Sequence, residues 1–173
     1  MLTPDDAVRV LEQVTDPEIP VLTIADLGIL RGVTVTDDGT VRVDITPTYS
    51  GCPAMDEITA DVRSALLGAG AAGVDVRLVL EPSWTTDWMS ADGRRKLAEY
   101  GIAPPGPRPS GGPVPLELGY RPGLGAGDGT PAPTCPRCGS RDTEELARFA
   151  STACKSLWRC RACREPFDHF KEF

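Results

Sequence analysis

The chain has 173 residues, of which 25 are acidic and 18 are basic, and its formal net charge at pH 7 is −7. This acidic balance argues against wholesale binding to nucleic acid or to an anionic membrane, which needs a basic surface. Only one histidine is present, so the chain alone cannot form a two-iron carboxylate site, which takes a histidine from each of two Glu-x-x-His motifs.

Charge and composition divide the chain into three segments. Residues 1–102 carry a net charge of −9 and residues 134–173 a net charge of +2. Between them, residues 103–133 contain nine prolines and eight glycines, and such a composition cannot bury enough apolar surface to offset its ordering entropy. We therefore expect an N-terminal domain, a linker that lets each module dock separately, and a small C-terminal module. Within the linker, only the island at 114–120 is expected to dock on a neighbour.

The first part of the chain predicts a helix followed by a hairpin. Thr3 can cap a helix in which apolar residues recur at helical spacing as far as Val14, and the Asp16-Pro17 pair is expected to end it. Alternating apolar residues at 33–36 and 41–45 flank an Asp-Asp-Gly turn. This pattern is typical of two antiparallel strands.

The rest of residues 1–102 predicts two more helices and one more strand. A helix follows Gly51-Cys52-Pro53, a strand covers Val74 to Leu80, and a short helix begins at Ser90. The order α-β-β-α-β-α predicts an α+β fold in which helices pack on a three-stranded mixed sheet.

Cys52 stands where a strand changes into a helix. Free backbone N–H groups and the helix dipole stabilise anions at such a position, so we expect a lowered thiol pKa and nucleophilic or metal-binding character. The acidic residues Asp16, Glu18 and Asp26 lie in a stretch stiffened by two prolines, but spacing alone does not bring them to Cys52. A capping cysteine and solvated acidic turns remain the alternative interpretation.

The C-terminal segment contains two Cys-x2-Cys units separated by 21 residues. Each tight turn directs two sulfur atoms at one point, and four thiolates complete a tetrahedral zinc site. We therefore predict a zinc-ribbon-like module, because forty residues have too small a core to fold without the free energy of metal binding. A two-iron cluster on the same thiolates stays open as an alternative. The four predicted ligands are Cys135, Cys138, Cys160 and Cys163.

Two further residues of this segment have chemistry of their own. Cys154 could replace one zinc ligand, stay buried, or serve redox or transfer chemistry, and the adjacent Lys155 could favour its thiolate. His169 is predicted not to be a ligand, because the four cysteines already suffice. Phe167, Phe170 and Phe173 are expected to form a small apolar cap around it.

Several motifs resemble known families. Asp16-Pro17-Glu18-Ile19-Pro20, Ile24-Ala25-Asp26-Leu27-Gly28-Ile29 and the segment 46–53 resemble the small domain of iron–sulfur cluster maturation factors, which has eukaryotic cytosolic and bacterial SUF-associated members. The cysteine units together with Ser151-Thr152-Ala153-Cys154-Lys155 resemble the PaaD (PaaJ) type of subunit of the bacterial phenylacetyl-CoA epoxidase system.

The resemblance implies an accessory role in aerobic phenylacetate degradation. It implies that the di-iron centre and the reductase belong to partner subunits, and that this chain assists iron or iron–sulfur cluster assembly in them. The resemblance also implies that Cys52 is the candidate contact for transient iron or a cluster. Further candidates are Asp16, Glu18, Asp26 and Cys154. Structural zinc is implied for the four-cysteine module.

Three other functions compete with this interpretation. A purely structural docking subunit would use the linker to raise effective concentration. A nucleic-acid-binding zinc ribbon would use the arginines of the tail and Trp158, although a net charge of +2 gives a weak field. A thiol enzyme would need a base beside Cys52, and the only histidine, His169, lies beyond the linker.

The predicted location is the cytoplasm. The acidic start lacks the basic and apolar regions of a signal peptide, and no stretch approaches the roughly 20 apolar residues of a membrane span. Structural disulfides are rare in that compartment, so the six cysteines need the explanations given above.

Overall fold

The computed structural model describes residues 2–49, 51–106 and 131–173. Most of the predicted linker, including the island at 114–120, lies outside the described residues. The described chain forms two sheets, one with three strands and one with four. Its elements are α1 (Pro4–Leu11), β1 (Leu30–Val35), β2 (Thr40–Ile45), α2 (Ala54–Gly68), β3 (Gly73–Leu78), a short 3-10 helix (Thr86–Trp88), α3 (Ala91–Tyr100), β4 (Ile102–Ala103), β5 (Thr143–Ala147), β6 (Lys155–Cys160) and β7 (Pro166–Phe170).

The first sheet has the order β1-β2-β3. The hairpin strands β1 and β2 are antiparallel, whereas β2 and β3 are parallel because α2 carries the chain across between them. Val41, Val43 and Ile45 are fully buried beneath the helices, while Arg42 and Asp44 alternate with them and face outward. The predicted α+β fold with a three-stranded mixed sheet is confirmed.

Helix α1 ends earlier than its apolar spacing predicts. Thr3 caps it as expected, accepting a hydrogen bond from the backbone N–H of Asp6. The helix stops at Leu11, because the carbonyl of Val14 accepts a hydrogen bond from the N–H of Ile24 and the N–H of Asp16 donates to the carbonyl of Leu22. This extended pairing is incompatible with helical geometry, so Val14 is buried outside the helix rather than within it.

The predicted third strand also ends early. β3 stops at Leu78, and Leu78 and Leu80 are 57% and 61% exposed. The N–H of Val79 still donates to the carbonyl of Ile45, and the chain then leaves the sheet. An edge strand has a neighbour on only one side, so its alternating apolar residues need not all be buried.

The second sheet joins the two ends of the chain. Its order is β4-β7-β6-β5, and β4, which directly follows α3, pairs in parallel with β7 through Ile102 and Asp168. The backbone N–H of Gly106 also donates to the carboxylate of Glu172 over 2.8 Å. The C-terminal module that contains β5, β6 and β7, called the ribbon below, is therefore docked on the first domain in this structure. This docking differs from the expectation of modules that dock separately.

Aromatic side chains fill the contact between ribbon and first domain. Phe170 is 1% exposed and belongs to the main core, with its ring centroid 6.2 Å from that of Trp84. Phe173 lies 6.1 Å from Trp84 and stacks on Tyr49 at 6.3 Å. Only Phe167 packs in the ribbon's own small core with Cys135 and Cys160. The predicted apolar cap around His169 is thus divided, because two of its three phenylalanines turn to the first domain.

Replacement of Phe170 by alanine tests this contact. Phe170→Ala removes a fully buried ring, and we expect it to lower the free energy of unfolding by about 3–5 kcal/mol. Urea unfolding followed by tryptophan fluorescence measures the change. Phe149→Ala is the matched control, because Phe149 is 63% exposed. Equal stability of the two variants would contradict docking through Phe170.

Candidate functional site

The four cysteines of the ribbon converge on one point. Their sulfur atoms all lie within 4.8 Å of one another, with Cys135 and Cys163 at 3.8 Å and Cys138 and Cys160 at 3.5 Å. Both contacts join one Cys-x2-Cys turn to the other, and the first turn is held by the N–H of Gly139 donating to the carbonyl of Cys135. Among the described residues, this is the only set of three or more cysteine, histidine or carboxylate ligand atoms that lie so close together.

This cluster has the dimensions of a tetrahedral metal site. Zinc–sulfur bonds of about 2.3 Å in a tetrahedron place the sulfur atoms about 3.8 Å apart, close to both measured distances. A hydrogen bond from the backbone N–H of Cys163 is the main cause that lowers the pKa of the Cys160 thiol to about 7. The turn therefore favours the thiolate of Cys160, whereas hydrogen bonds among the thiols raise the pKa of Cys138 and Cys163. The set of four sulfur donors fits zinc.

Cys52 lies just before α2, but its thiol is not activated as the sequence predicts. Burial raises the pKa of Cys52 above its ordinary value, and the charges of Glu18 and Asp16 raise it further. A hydrogen bond from the N–H of Ala54 lowers the pKa, as expected at a helix start, but it is outweighed. The expectation of a lowered pKa is therefore wrong, because the helix effect competes with a half-buried position facing two carboxylates.

The acidic loop is built by Asp16. One oxygen of its carboxylate accepts hydrogen bonds from the N–H groups of Glu18 and Ile19, both over 2.8 Å. After burial, the charges of Glu18 and Asp16 also raise the pKa values of Cys52 and Cys154. Burial, followed by the charge of Asp16, raises the pKa of Glu18.

Cys154 lies apart from the four-cysteine cluster. It is 6% exposed and packs in the main core of the first domain, against which Cys52 also packs. Its sulfur is 3.0 Å from the hydroxyl of Thr152. Burial raises the pKa of Cys154. The charge of the neighbouring Lys155 lowers this pKa, as expected, but burial outweighs it. Of the alternatives that the sequence left open for Cys154, the structure shows a buried thiol in the main core of the first domain.

Asp26 has a different environment from the other candidates. Its carboxylate accepts hydrogen bonds from Lys96 over 2.7 Å, from the hydroxyl of Ser90 over 3.0 Å and from the N–H of Thr23 over 3.1 Å. The residue is 8% exposed. These contacts tie the loop to the start of α3, so the structure gives Asp26 a supporting position and does not place it among the charges that act on Cys52.

Two aromatic residues for which the sequence predicted no role border a cleft of the first domain. Tyr49 and Trp84 line an open cleft of about 270 Å³ together with Pro47 and Leu80. The indole of Trp84 donates to the carbonyl of Leu27 over 2.9 Å, which fixes one wall. A possible signal was the position of Tyr49 three residues before Cys52, but its stacking on Phe173 required the folded structure.

His169 is held within the ribbon. It is 5% exposed, its Nε2 atom is 3.5 Å from Glu172, and its Nδ1 atom is 3.4 Å from the hydroxyl of Ser156. The single histidine of the chain is thus engaged away from the four cysteines. This agrees with its predicted exclusion from the metal ligands and leaves it unavailable as a base for Cys52.

The arginines of the ribbon are partly neutralised. Arg159 and Arg161 both pair with Glu144, and Trp158 donates from its indole to the hydroxyl of Ser156 over 2.9 Å. Internal pairing of this kind weakens the field and the stacking platform that a nucleic-acid interface would need. No helix in the described part of the chain has the length and apolar character required to cross a membrane.

Two parts of the chain match known families. Residues 4–78 match the family described as iron-sulfur cluster assembly protein, and residues 121–171 match the PaaD zinc beta ribbon domain. The first match contains Cys52 and the acidic loop, and the second contains the four clustered cysteines and Cys154. The resemblance drawn from the motifs is therefore confirmed at both ends of the chain.

Individual relatives extend this picture. A protein of Escherichia coli (strain K12), provisionally named as a component of 1,2-phenylacetyl-CoA epoxidase, is 47% identical over 161 residues, which cover 93% of this chain and 88% of that protein. An Fe-S protein maturation auxiliary factor of Porphyromonas gingivalis is 44% identical over 96 residues, 55% of this chain and 90% of its own length. A solved domain of unknown function, DUF59, from Bacillus anthracis gives a TM-score of 0.52 at 28% identity, covering 55% of this chain and 91% of that one.

The supporting role of Asp26 can be tested by its pH dependence. Hydrogen bonds from Lys96, Thr23 and Ser90 overcome the effect of burial and lower the pKa of Asp26. Its ionised form therefore stabilises the fold fully above the ordinary aspartate pKa of about 4, and this contribution is lost as the pH falls through the lowered pKa. We expect Asp26→Asn to cost about 1.5–3 kcal/mol at pH 7, and the two proteins to converge in stability in acid.

Urea unfolding at several pH values measures this difference. Asp92→Asn is the matched control, because Asp92 also pairs with Lys96 but is 52% exposed, and we expect a much smaller loss from it. A difference between wild type and Asp26→Asn that stays constant down to pH 2 would contradict the proposed ion pair.

Proposed function

This chain belongs to the PaaD family of phenylacetyl-CoA epoxidase components, and from that membership we propose that it is a non-catalytic accessory subunit of the multicomponent oxygenase of phenylacetate degradation. It assists the assembly of iron or an iron–sulfur cluster in the oxygenase and reductase subunits. The single observation that carries the proposal is the position of Cys52 directly before α2, within the part of the chain that matches iron–sulfur cluster assembly proteins. The negative charges of Glu18 and Asp16 act on its thiol.

The electrostatics of Cys52 suit a transient contact. A thiol with a raised pKa remains protonated at neutral pH, so a metal must displace the proton in order to bind. Carboxylate oxygens add donors that suit iron in its divalent form. The iron or cluster is cargo in this proposal, and a ligand that exchanges its metal for a proton releases that cargo more readily than a permanent thiolate.

The four-cysteine cluster has a separate, structural role. We assign zinc to Cys135, Cys138, Cys160 and Cys163, which fill all four positions of a tetrahedron and leave no open position. When bound, the ion supplies folding free energy to a ribbon whose own core contains few residues,. The ribbon can then present its docked face to the first domain and its outer face to partner subunits.

The proposed location is the cytoplasm. All six cysteines are free thiols in the structure, including the four whose sulfur atoms are close enough for a shared metal. A reducing compartment preserves thiols in this state, and both the zinc site and the cargo contact depend on it.

Removal of one exposed zinc ligand tests the structural assignment. Wild-type protein purified without oxygen is expected to contain one zinc per chain and to be colourless. Cys138→Ser should lose the zinc, because three thiolates no longer complete the site, whereas Cys52→Ser should keep it. Elemental analysis with visible absorption measures both variants. Bound iron and sulfide with visible absorption would instead support a two-iron cluster on these thiolates.

Cys52→Ser tests the maturation role. The substitution exchanges sulfur for oxygen at a half-buried position, so the fold should persist while the thiol contact is lost. We expect a several-fold lower iron and acid-labile sulfide content of the partner reductase when the variant replaces wild type in cells. Glu57→Gln, an exposed residue in the first turn of the same helix, is the control. Unchanged cluster content in Cys52→Ser would favour the purely structural docking role.

A further inference from the structure

The four-cysteine cluster shares its small core with the first domain. Cys135 and Cys160 are buried and pack with Phe167 of the ribbon and with Ala103. Ala103 lies in β4, which directly follows α3 of the first domain and pairs in parallel with β7. The first domain therefore supplies a strand to the sheet of the ribbon and a side chain to the core that packs on two of the four proposed zinc ligands.

Strand β7 carries phenylalanine side chains into two different cores. Phe167 packs beside two of the clustered cysteines, whereas Phe170 is buried in the main core with its ring centroid 6.2 Å from that of Trp84. The two phenylalanines are three residues apart, and an odd separation places side chains on opposite faces of a strand. β7 pairs with β6 along its whole length, so a shift of the strand at the cluster moves Phe170 as well.

The residues after β7 reach the open cleft of the first domain. Phe173 stacks on Tyr49 with ring centroids 6.3 Å apart and lies edge-on to Trp84 at 6.1 Å, and those two rings line the cleft. The carbonyl of Phe173 also accepts a hydrogen bond from the N–H of Thr86 over 3.3 Å. Contacts of the ribbon therefore hold both aromatic walls of the cleft.

The cluster and the cleft are thus joined by one short segment. Residues 167–173 span about 20 Å even when fully extended, and each end of this segment is packed against one of the two sites. Zinc holds the two Cys-x2-Cys turns together and supplies folding free energy to a module whose own core is small,. Without that free energy, a module of about forty residues does not keep its strands in place by burial alone.

We propose that zinc loading of the ribbon controls the aromatic cleft of the first domain. The zinc-loaded ribbon docks and holds Phe173 against Tyr49 and Trp84, whereas loss of zinc releases these contacts. The proposal rests on the assignment of zinc to the four cysteines, and it adds a regulatory role to an ion that is otherwise structural. The coupling is reciprocal, because any free energy that zinc adds to docking is also added by docking to zinc binding.

This coupling reaches the turn that contains the candidate metal contact. The backbone N–H of Cys52 donates to the carbonyl of Tyr49 over 3.3 Å, so the ring on which Phe173 stacks belongs to the same turn as Cys52. A chain whose ribbon lacks zinc leaves this aromatic wall uncovered. Zinc in the ribbon therefore decides which chains carry the finished cleft next to this turn.

Amide hydrogen exchange of the intact wild-type protein tests the proposal. The N–H of Thr86 lies in the first domain and donates to the carbonyl of Phe173, so its exchange rate, followed by NMR, reports whether the ribbon is docked. Removal of zinc by a chelator, under reducing and oxygen-free conditions, should accelerate this exchange by at least about fivefold, the lower end of typical coupling. Adding zinc back should restore the original rate, which excludes oxidation of the thiols as the cause.

The control amide is paired within the first domain. The N–H of Ile24 donates to the carbonyl of Val14 over 2.9 Å, and both side chains are buried in the main core. Its exchange should not change when zinc is removed. Equal acceleration at Ile24 and Thr86 would mean that the first domain unfolds as a whole, which overturns a link that runs through β7.

Phe173→Ala tests the reverse direction of the coupling. The substitution removes a ring that contacts Tyr49 and Trp84 and leaves all four cysteines unchanged, yet we expect it to weaken zinc binding by at least about fivefold. Competition with a zinc-binding dye measures the affinity. Phe149→Ala removes a ring of the same module that is 63% exposed, and this control should bind zinc as the wild type does.

The outcomes separate this proposal from the zinc assignment on which it rests. Unchanged exchange of Thr86 after complete removal of zinc, or wild-type zinc affinity in Phe173→Ala, overturns the coupling and leaves zinc as a purely structural ion of the ribbon. A wild-type protein that contains no zinc overturns both the assignment and the coupling.

Discussion

Burial of the C-terminal aromatic residues against the first domain is the interaction on which the rest of the structure depends. Phe170 completes the main core beside Trp84, and Phe173 covers Tyr49. Through these contacts β7 is held next to β4, and Cys154 of the ribbon lies in the main core of the first domain. A chain that consists by composition of two charged modules and a Pro/Gly-rich segment thereby gains a main core to which both ends of the chain contribute.

Features with a local cause could be predicted from the sequence. The four-cysteine cluster follows from two tight turns whose geometry is contained within Cys-x2-Cys spacing, and the order of helices and strands follows from apolar periodicity. The end of α1 could not be predicted, since it depends on Val14 pairing with Ile24. The same holds for the position of Cys154, which depends on contacts between segments from opposite ends of the chain.

The predicted lowering of the Cys52 pKa was wrong for a related reason. Sequence indicates the near neighbours of a thiol, such as the helix start beside Cys52 and the lysine beside Cys154, and both favour a thiolate. Folding adds burial and the carboxylates of a distant loop, and these outweigh the near neighbours. Burial therefore dominates the pKa of Cys52 and Cys154, whereas hydrogen bonds within a turn lower the pKa of Cys160 in the four-cysteine cluster.

The parallel pairing of β4 with β7 has a consequence for the order of events during synthesis. Ile102 must meet Asp168, a contact whose loop closure is slow compared with the local contacts of the first domain. Domains generally fold as units with the N-terminal one first, so the first domain leaves the ribosome with Tyr49 and Trp84 still uncovered. The aromatic contacts of Phe173 with Tyr49 and Trp84 therefore form only after the chain has been synthesised as far as Phe173. A chain that stops before the ribbon lacks these contacts.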